Sequence, residues 1–207
     1  MTDSFTDAPS LTRQRPKPGE RRVQILQALA SMLEQPGGER ITTAALAAQL
    51  QVSEAALYRH FASKAQMFDA LLDFVEQTVF GLTQQIATQT SQGGLQQAAQ
   101  MVRVLVKFAE KNPGMTRVMV GDALVLEHER LQQRMNLFFD KFESTLKQCL
   151  RAQTNQIASA TPTVDAQVQA AVLMAFARGR LQRYTRSNFK RAPSEHLDAC
   201  LAVMLAS

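Results

Sequence analysis

In the stretch VSEAALYRHFASK, residues 52–64, a phenol, a guanidinium and an imidazole stand side by side as Tyr58, Arg59 and His60. Leu57 and Phe61 lie four residues apart, the spacing that puts two side chains on one helix face. If that pair points inward, the three polar groups are left partly or wholly outward. Tyr and His can donate hydrogen bonds to phosphate oxygens, and Arg can meet a phosphate or a guanine edge. Lys64, opening the next helix, sets a cation beside a helix N-terminus, itself a phosphate site. The chemistry on offer is recognition of a polyanion.

Catalytic chemistry finds no comparable cluster. His60, His128 and His196 are dispersed without metal-ligand spacing, and LEHER (126–130) lacks the second His of a zinc motif. Cys149 and Cys200 have no adjacent base, and no Gly-rich phosphate loop occurs. The expectation is a non-enzyme with no cofactor and no metal.

The charge distribution agrees. The 207 residues carry a net charge of only +5, so the excess matters only where it is concentrated. In RQRPKPGERR (13–22), Arg13, Arg15, Lys17, Arg21 and Arg22 face only Glu20, which reads as a nucleic-acid contact. A second run, RGRLQRYTRSNFKR (178–191), holds six basic residues and no acid, and reads as a solvated face. Apolar residues at 45% suffice for a core. No stretch approaches the roughly 18 apolar residues of a membrane span, and the first 22 residues lack a secretory apolar run. The cysteines read as two reduced core thiols. A cytoplasmic chain with no membrane partner is expected.

The elements that must position the triplet are helical throughout. Residues 1–18 are rich in Ser, Thr, Pro and basic groups without periodicity and read as a flexible basic arm. A helix follows from Glu20 with an apolar stripe of Val23, Leu26, Leu29, Ala30 and Leu33, ended by QPGG. ITTAALAAQL gives a short helix that Thr42 or Thr43 can cap, and EAALYRHF gives a third helix capped by Ser53. Ser63 with Gln66 is a capping box. It opens a long helix over 64–91, with Phe68, Leu71, Leu72, Val75, Val79, Leu82 and Ile86 inward. Further helices are expected at 95–111, over 115–153 with a joint near Gly121, and at 163–187 and 193–206. The fold class is all-α, divided as arm 1–18, helix-turn-helix domain 19–66 and helical regulatory and dimerisation domain 67–207.

Two short helices on a tight turn, with Leu46, Ala47, Leu50, Val52, Leu57 and Phe61 inward, make a helix-turn-helix. That motif can set a helix end in a DNA major groove. At these residues, TTAALAAQLQVSEAALYRHFASKAQMFDALL, the chain resembles the TetR family of DNA-binding proteins. RITTAALAAQL, KNPGMTR, RLQQRMN and SNFKRAP bring it nearer to the nucleoid-occlusion branch of that family. The resemblance implies a homodimer joined by a four-helix bundle of its last two helices. It implies phosphate contacts from Tyr58, His60 and Lys64, supported by Thr43 and its neighbour Thr42. Ser53, Glu54, Ala55, Ala56 and Arg59 would approach base edges of palindromic double-stranded DNA.

One departure is Gln51, at a turn position usually held by Gly. If that position needs a left-handed backbone, a side chain there costs on the order of 1 kcal/mol.

The branch resemblance also implies a protein partner, the acidic and apolar C-terminal tail of the division GTPase FtsZ. The tail would lie between the long helix and the helix at 95–111, with Phe74 as an apolar anchor and Lys111 and Asn112 at the groove end. Leu82 stands where that branch carries a basic residue, so Arg103 or Lys107 would have to supply charge. Bound to DNA on the nucleoid, such a protein would keep the division ring off the chromosome. A different function stays open, a repressor released from its operator by a small apolar ligand. Met115, Met119, Met135, Phe138, Phe139 and Phe142 would suit its cavity, or equally plain core.

Overall fold

Capping chemistry and apolar spacing set the first four helices of the computed structural model, which describes residues 19–88, 93–156 and 160–206. The arm expected over residues 1–18, with Arg13, Arg15 and Lys17, lies outside the described residues. Helix α1 (Glu20–Glu34) buries Ile25, Leu29 and Leu33, four residues apart. The stripe expected from the sequence included Val23, which is 53% exposed. The helix carries two apolar stripes: the one through Ile25 is buried in the core, while Leu26 and Ala30 of the other pack against the core's edge and, with Val23, line a groove.

Helix α2 (Thr43–Gln49) is capped by Thr42, whose hydroxyl accepts from the Ala45 amide at 3.1 Å. Gln51 then turns the chain at φ 54°, the left-handed conformation that glycine adopts most readily. The strain is tolerated because the turn is closed by backbone bonds from Gln51 to Ala48 and from Val52 to Ala47, both 3.0 Å. Helix α3 (Glu54–Tyr58) starts on a Ser53 cap, and α4 (Lys64–Ala87) on Ser63. Gln66 completes the α4 cap by accepting from the Ala62 amide at 3.0 Å. Leu82, expected inward, is 41% exposed, and Thr83 takes the buried position with its hydroxyl donating to the Phe80 carbonyl. A hydroxyl so satisfied is cheap to bury.

The rest of the chain is α5 (Gly94–Lys111), α6 (Pro113–Met119), a 3₁₀ turn (Asp122–Leu124), α7 (Glu129–Gln156), α8 (Pro162–Arg186) and α9 (Leu197–Leu205). Gly121, at φ 88°, is the joint expected before α7. The final helix starts at Leu197, not 193, because His196 sits at φ 52° and breaks the helical path. Helix α7 packs along α8 and α5, and α4 is covered by α5 and α7. Among the described residues there is no strand, and no helix is long and apolar enough to cross a membrane.

Two contacts fix the reader end of the molecule to the rest. Arg134 of α7 reaches across to α4, bonding both Glu76 oxygens at 2.8 and 2.9 Å and Asp73 at 2.6 Å, while Arg130 pairs with Asp69. The Glu76 bond, followed by Asp73, holds the Arg134 guanidinium still more firmly protonated than usual. Elsewhere α6 lies on α1 so closely that a Cβ on Gly114 would stand 2.3 Å from the Ala30 carbonyl oxygen. Arg117, buried in the same helix, donates to the Gln35 carbonyl at 2.7 Å and stacks on Phe189.

Glycine at 114 is therefore a spatial requirement. Gly114→Ala is expected to destabilise the protein by about 1–3 kcal/mol, the usual cost of overpacking. Chemical denaturation checks this, and an unchanged unfolding midpoint would contradict the α1–α6 contact.

Candidate nucleic-acid interface

The five-residue α3 is fixed by its two apolar ends. Leu57 and Phe61 are each 1% exposed and join the core cluster that contains Leu46, Ile25 and Phe68. Tyr58, Arg59 and His60 are then forced outward, and all three are exposed. Ser53, Glu54 and Ala55 are exposed at the front of the same helix, and Ala56 is half-buried. The structure thus brings these residues to one surface with Thr42 and Thr43. The two threonines divide the work: Thr42 caps α2, and Thr43 donates to a Glu54 carboxylate oxygen at 2.6 Å. That bond ties the starts of α2 and α3 together and draws the Glu54 charge toward α2.

Two tertiary partners were invisible in the sequence. Arg22, counted there within the cationic run, lies 4.0 Å over the Phe61 ring and donates to the His60 carbonyl at 2.9 Å. It is a strut holding the end of α3 to α1. Lys64 pairs with the Glu127 carboxylate from the turn before α7, and its ammonium lies over the Phe68 ring. Nothing in the periodicity links residues 63 positions apart. Arg21, also from the cationic run, bonds Gln24.

The second basic run is partly consumed by packing. Arg178 stacks on Phe139, Arg180 stacks on Phe176 and donates to the Cys200 sulfur, and Arg183 pairs with Glu195. Arg186, Lys190 and Arg191 remain exposed. Cys149 is buried, and desolvation pushes its thiol above the ordinary range; Cys200 is only half-buried, not the core thiol expected. Among the described residues no three His, Cys, Asp or Glu side chains come together as a metal site.

The residues expected to meet a protein tail divide. Phe74, 48% exposed, and Asn112 line an apolar groove of about 400 Å³ with Val23, Leu26, Leu71 and Met115. Its walls are α1, α4 and α6, whereas the sequence placed the tail between α4 and α5. Phe74 bridges the two places, because its ring also meets Phe108 of α5 at 6.0 Å. Lys111 and Lys107 are exposed one turn apart on α5, while Arg103 is turned away to Asp198 of α9 at 2.6 Å. The Asn112 amide is occupied by the Phe108 carbonyl.

Met115, Met119, Met135, Phe138, Phe139 and Phe142, the other candidate lining, are all buried core side chains. Phe138 meets Phe80, Phe139 and Phe142 ring to ring. A separate apolar surface runs along α8, where Val164, Val168 and Val172 are each about half exposed at four-residue spacing, and Val203 of α9 is 78% exposed.

A short capped helix with an outward phenol, guanidinium and imidazole, set on a helix-turn-helix, defines a DNA-binding protein. Residues 25–71 match the family described as bacterial regulatory proteins, tetR family, and residues 92–206 match the SlmA-like tetracyclin repressor-like C-terminal domain. The nucleoid occlusion factor SlmA of Idiomarina loihiensis is 49% identical over 184 residues, covering 89% of this chain and 93% of that one. The SlmA of Shewanella sediminis is 46% identical over 178 residues, covering 86% and 89%. Among solved structures, the fatty acid degradation regulator FadR of Bacillus halodurans superposes with a TM-score of 0.74 at 12% identity, covering 93% of this chain and 98% of that one. PfmR of Thermus thermophilus, a TetR family transcriptional regulator, gives 0.73 at 18% identity, covering 89% and 98%. The two structures share the fold alone. The chain belongs to the TetR family and, within it, to the SlmA group.

Because Tyr58 is 46% exposed, Tyr58→Phe is expected to leave the melting temperature unchanged. It should weaken duplex binding on the order of tenfold, the worth of one hydrogen bond to a charged acceptor. Fluorescence anisotropy with a palindromic duplex measures this; equal affinity would remove Tyr58 from the contact surface.

Proposed function

We propose that this protein is a nucleoid occlusion factor. As a homodimer it binds palindromic duplex DNA on the nucleoid, in the cytoplasm, and while bound it interferes with assembly of the FtsZ ring over the chromosome. It works without catalysis. The observation that carries the reading is the reader surface of Tyr58, Arg59 and His60 on a chain nearly half identical to named nucleoid occlusion factors over 89% of its length.

The exposure of residues 53–55 and 58–60 supports a contact scheme, which the cations of the arm extend. Tyr58 and His60 donate to phosphates, Lys64 adds a cation at the head of α4, and Arg13, Arg15 and Lys17 reach the backbone from the arm. Ser53, Glu54, Ala55, Ala56 and Arg59 face the bases. Ala55 and Ala56 offer only methyl contacts, so sequence choice leans on DNA shape and on the spacing between the two subunits. The valine stripe of α8 and Val203 of α9 supply the apolar surface that a second copy would cover in a four-helix bundle.

For FtsZ, the supporting feature is the Phe74 groove, which Asn112 also lines, with the exposed Lys111 next to Asn112 in the chain. An apolar trough followed in the chain by a cation suits a short tail that is both acidic and apolar. Leu82 contributes exposed apolar area in place of charge. Asn112 and Lys111 then sit at the end of the trough, where α5 gives way to α6.

The test is FtsZ assembly followed by light scattering, with the protein alone and with a palindromic duplex selected by the protein from a random pool. Filaments are expected to shorten or disperse only when protein and duplex are both present, and Phe74→Ala should abolish the effect while duplex binding persists. Assembly indifferent to the duplex would refute the occlusion reading.

A further inference from the structure

We propose that Glu127 is an intramolecular competitor of DNA phosphate for Lys64, and so a further residue that sets the affinity of the reader. The inference rests on the DNA-binding reading above. Lys64 is the first residue of α4, next to that helix's Ser63 cap and one short turn beyond the recognition helix, which ends at Tyr58. Its ammonium is paired with Glu127, which comes from the turn between the 3₁₀ segment and α7. The lysine side chain is 27% exposed and so reachable from solvent, whereas that of Glu127 is only 11% exposed.

The arrangement sets one cation between two anions. A phosphate approaching Lys64 meets a carboxylate already bonded to the same nitrogen, and two like charges that close repel. Phosphate binding therefore has to loosen or break the pair. The turn that carries Glu127 is closed by the Glu127 backbone amide, which donates to the Leu124 carbonyl at 3.0 Å. It also carries Val125 and Leu126, which are 68% and 70% exposed. A loosened Glu127 removes the side-chain tie between α4 and the turn that carries these two apolar side chains, so that turn opens more readily. The same turn leads directly into Arg130 and Arg134, the residues that grip the acidic face of α4.

The experiment is a double-mutant cycle read by anisotropy with a short random-sequence duplex, which samples phosphate contacts without base recognition. Glu127→Gln is expected to tighten binding about two- to fivefold, the worth of one partly exposed ion pair. Glu129→Gln makes the same change in net charge two residues away and controls for general electrostatics. In a Lys64→Gln background, Glu127→Gln should add no more than that control does.

A Glu127→Gln effect equal to that of Glu129→Gln, one that persists without Lys64, or weaker binding would each overturn the inference. Wild-type protein that ignores the duplex would instead overturn the DNA-binding reading. Amide exchange on the unmodified protein gives a second reading that needs no variant. The Glu127 amide should exchange faster in the saturated complex, and unchanged exchange there would overturn the competition.

Discussion

The reader depends on burial of one aromatic ring. A helix of five residues does not form by itself in water, because nucleation costs more than so few hydrogen bonds return. Helix α3 exists because Phe61 and Leu57 are taken into the core at 1% exposure. Caps at Ser53 and Ser63 then satisfy the amides at its start and just beyond its end. Arg22 covers the remaining face of Phe61 and reaches the His60 carbonyl, closing the end of the helix from the side of α1. With the ring fixed, Tyr58, Arg59 and His60 have only one direction left to point.

Helix α4 carries that fixed geometry into the body of the protein. One end holds Lys64 beside the reader, the middle presents Asp69, Asp73 and Glu76 to two arginines of α7, and Phe74 opens onto the groove. A rigid helix with these three attachments would carry a displacement at the reader to the groove proposed for a protein partner. The groove also shares walls with α1, whose position is set by Gly114 and Arg117 of α6. Reader and groove therefore share α1 and α4, the reader resting on them and the groove walled by them, so a displacement of either helix alters both.

How much the sequence disclosed follows the range of the interactions. The helix-turn-helix was legible because caps, turn and apolar spacing act within four residues: Thr42, Ser53 and Ser63 cap where expected, and Gln51 adopts the left-handed turn. Gly121 likewise marks the joint before α7. What failed was set by partners distant in the chain. Val23 and Ile25 are equally apolar, and only the packing of α1 on its neighbours decides which is covered. Leu82 reads as core by periodicity, yet a self-satisfied Thr83 fills the inward position. The tertiary partners of Arg22 and Lys64, the Phe61 ring and the Glu127 carboxylate, were likewise out of reach of the sequence. No local pattern encodes such pairings.

We infer that the surface around α3, and not the basic run at the end of α8, meets duplex DNA. Backbone amide chemical-shift mapping during titration with a palindromic duplex tests it most directly. The largest shifts are expected on residues 42–43 and 53–64, with residues 183–191 nearly still. Shifts concentrated on residues 183–191, with α3 unmoved, would contradict it.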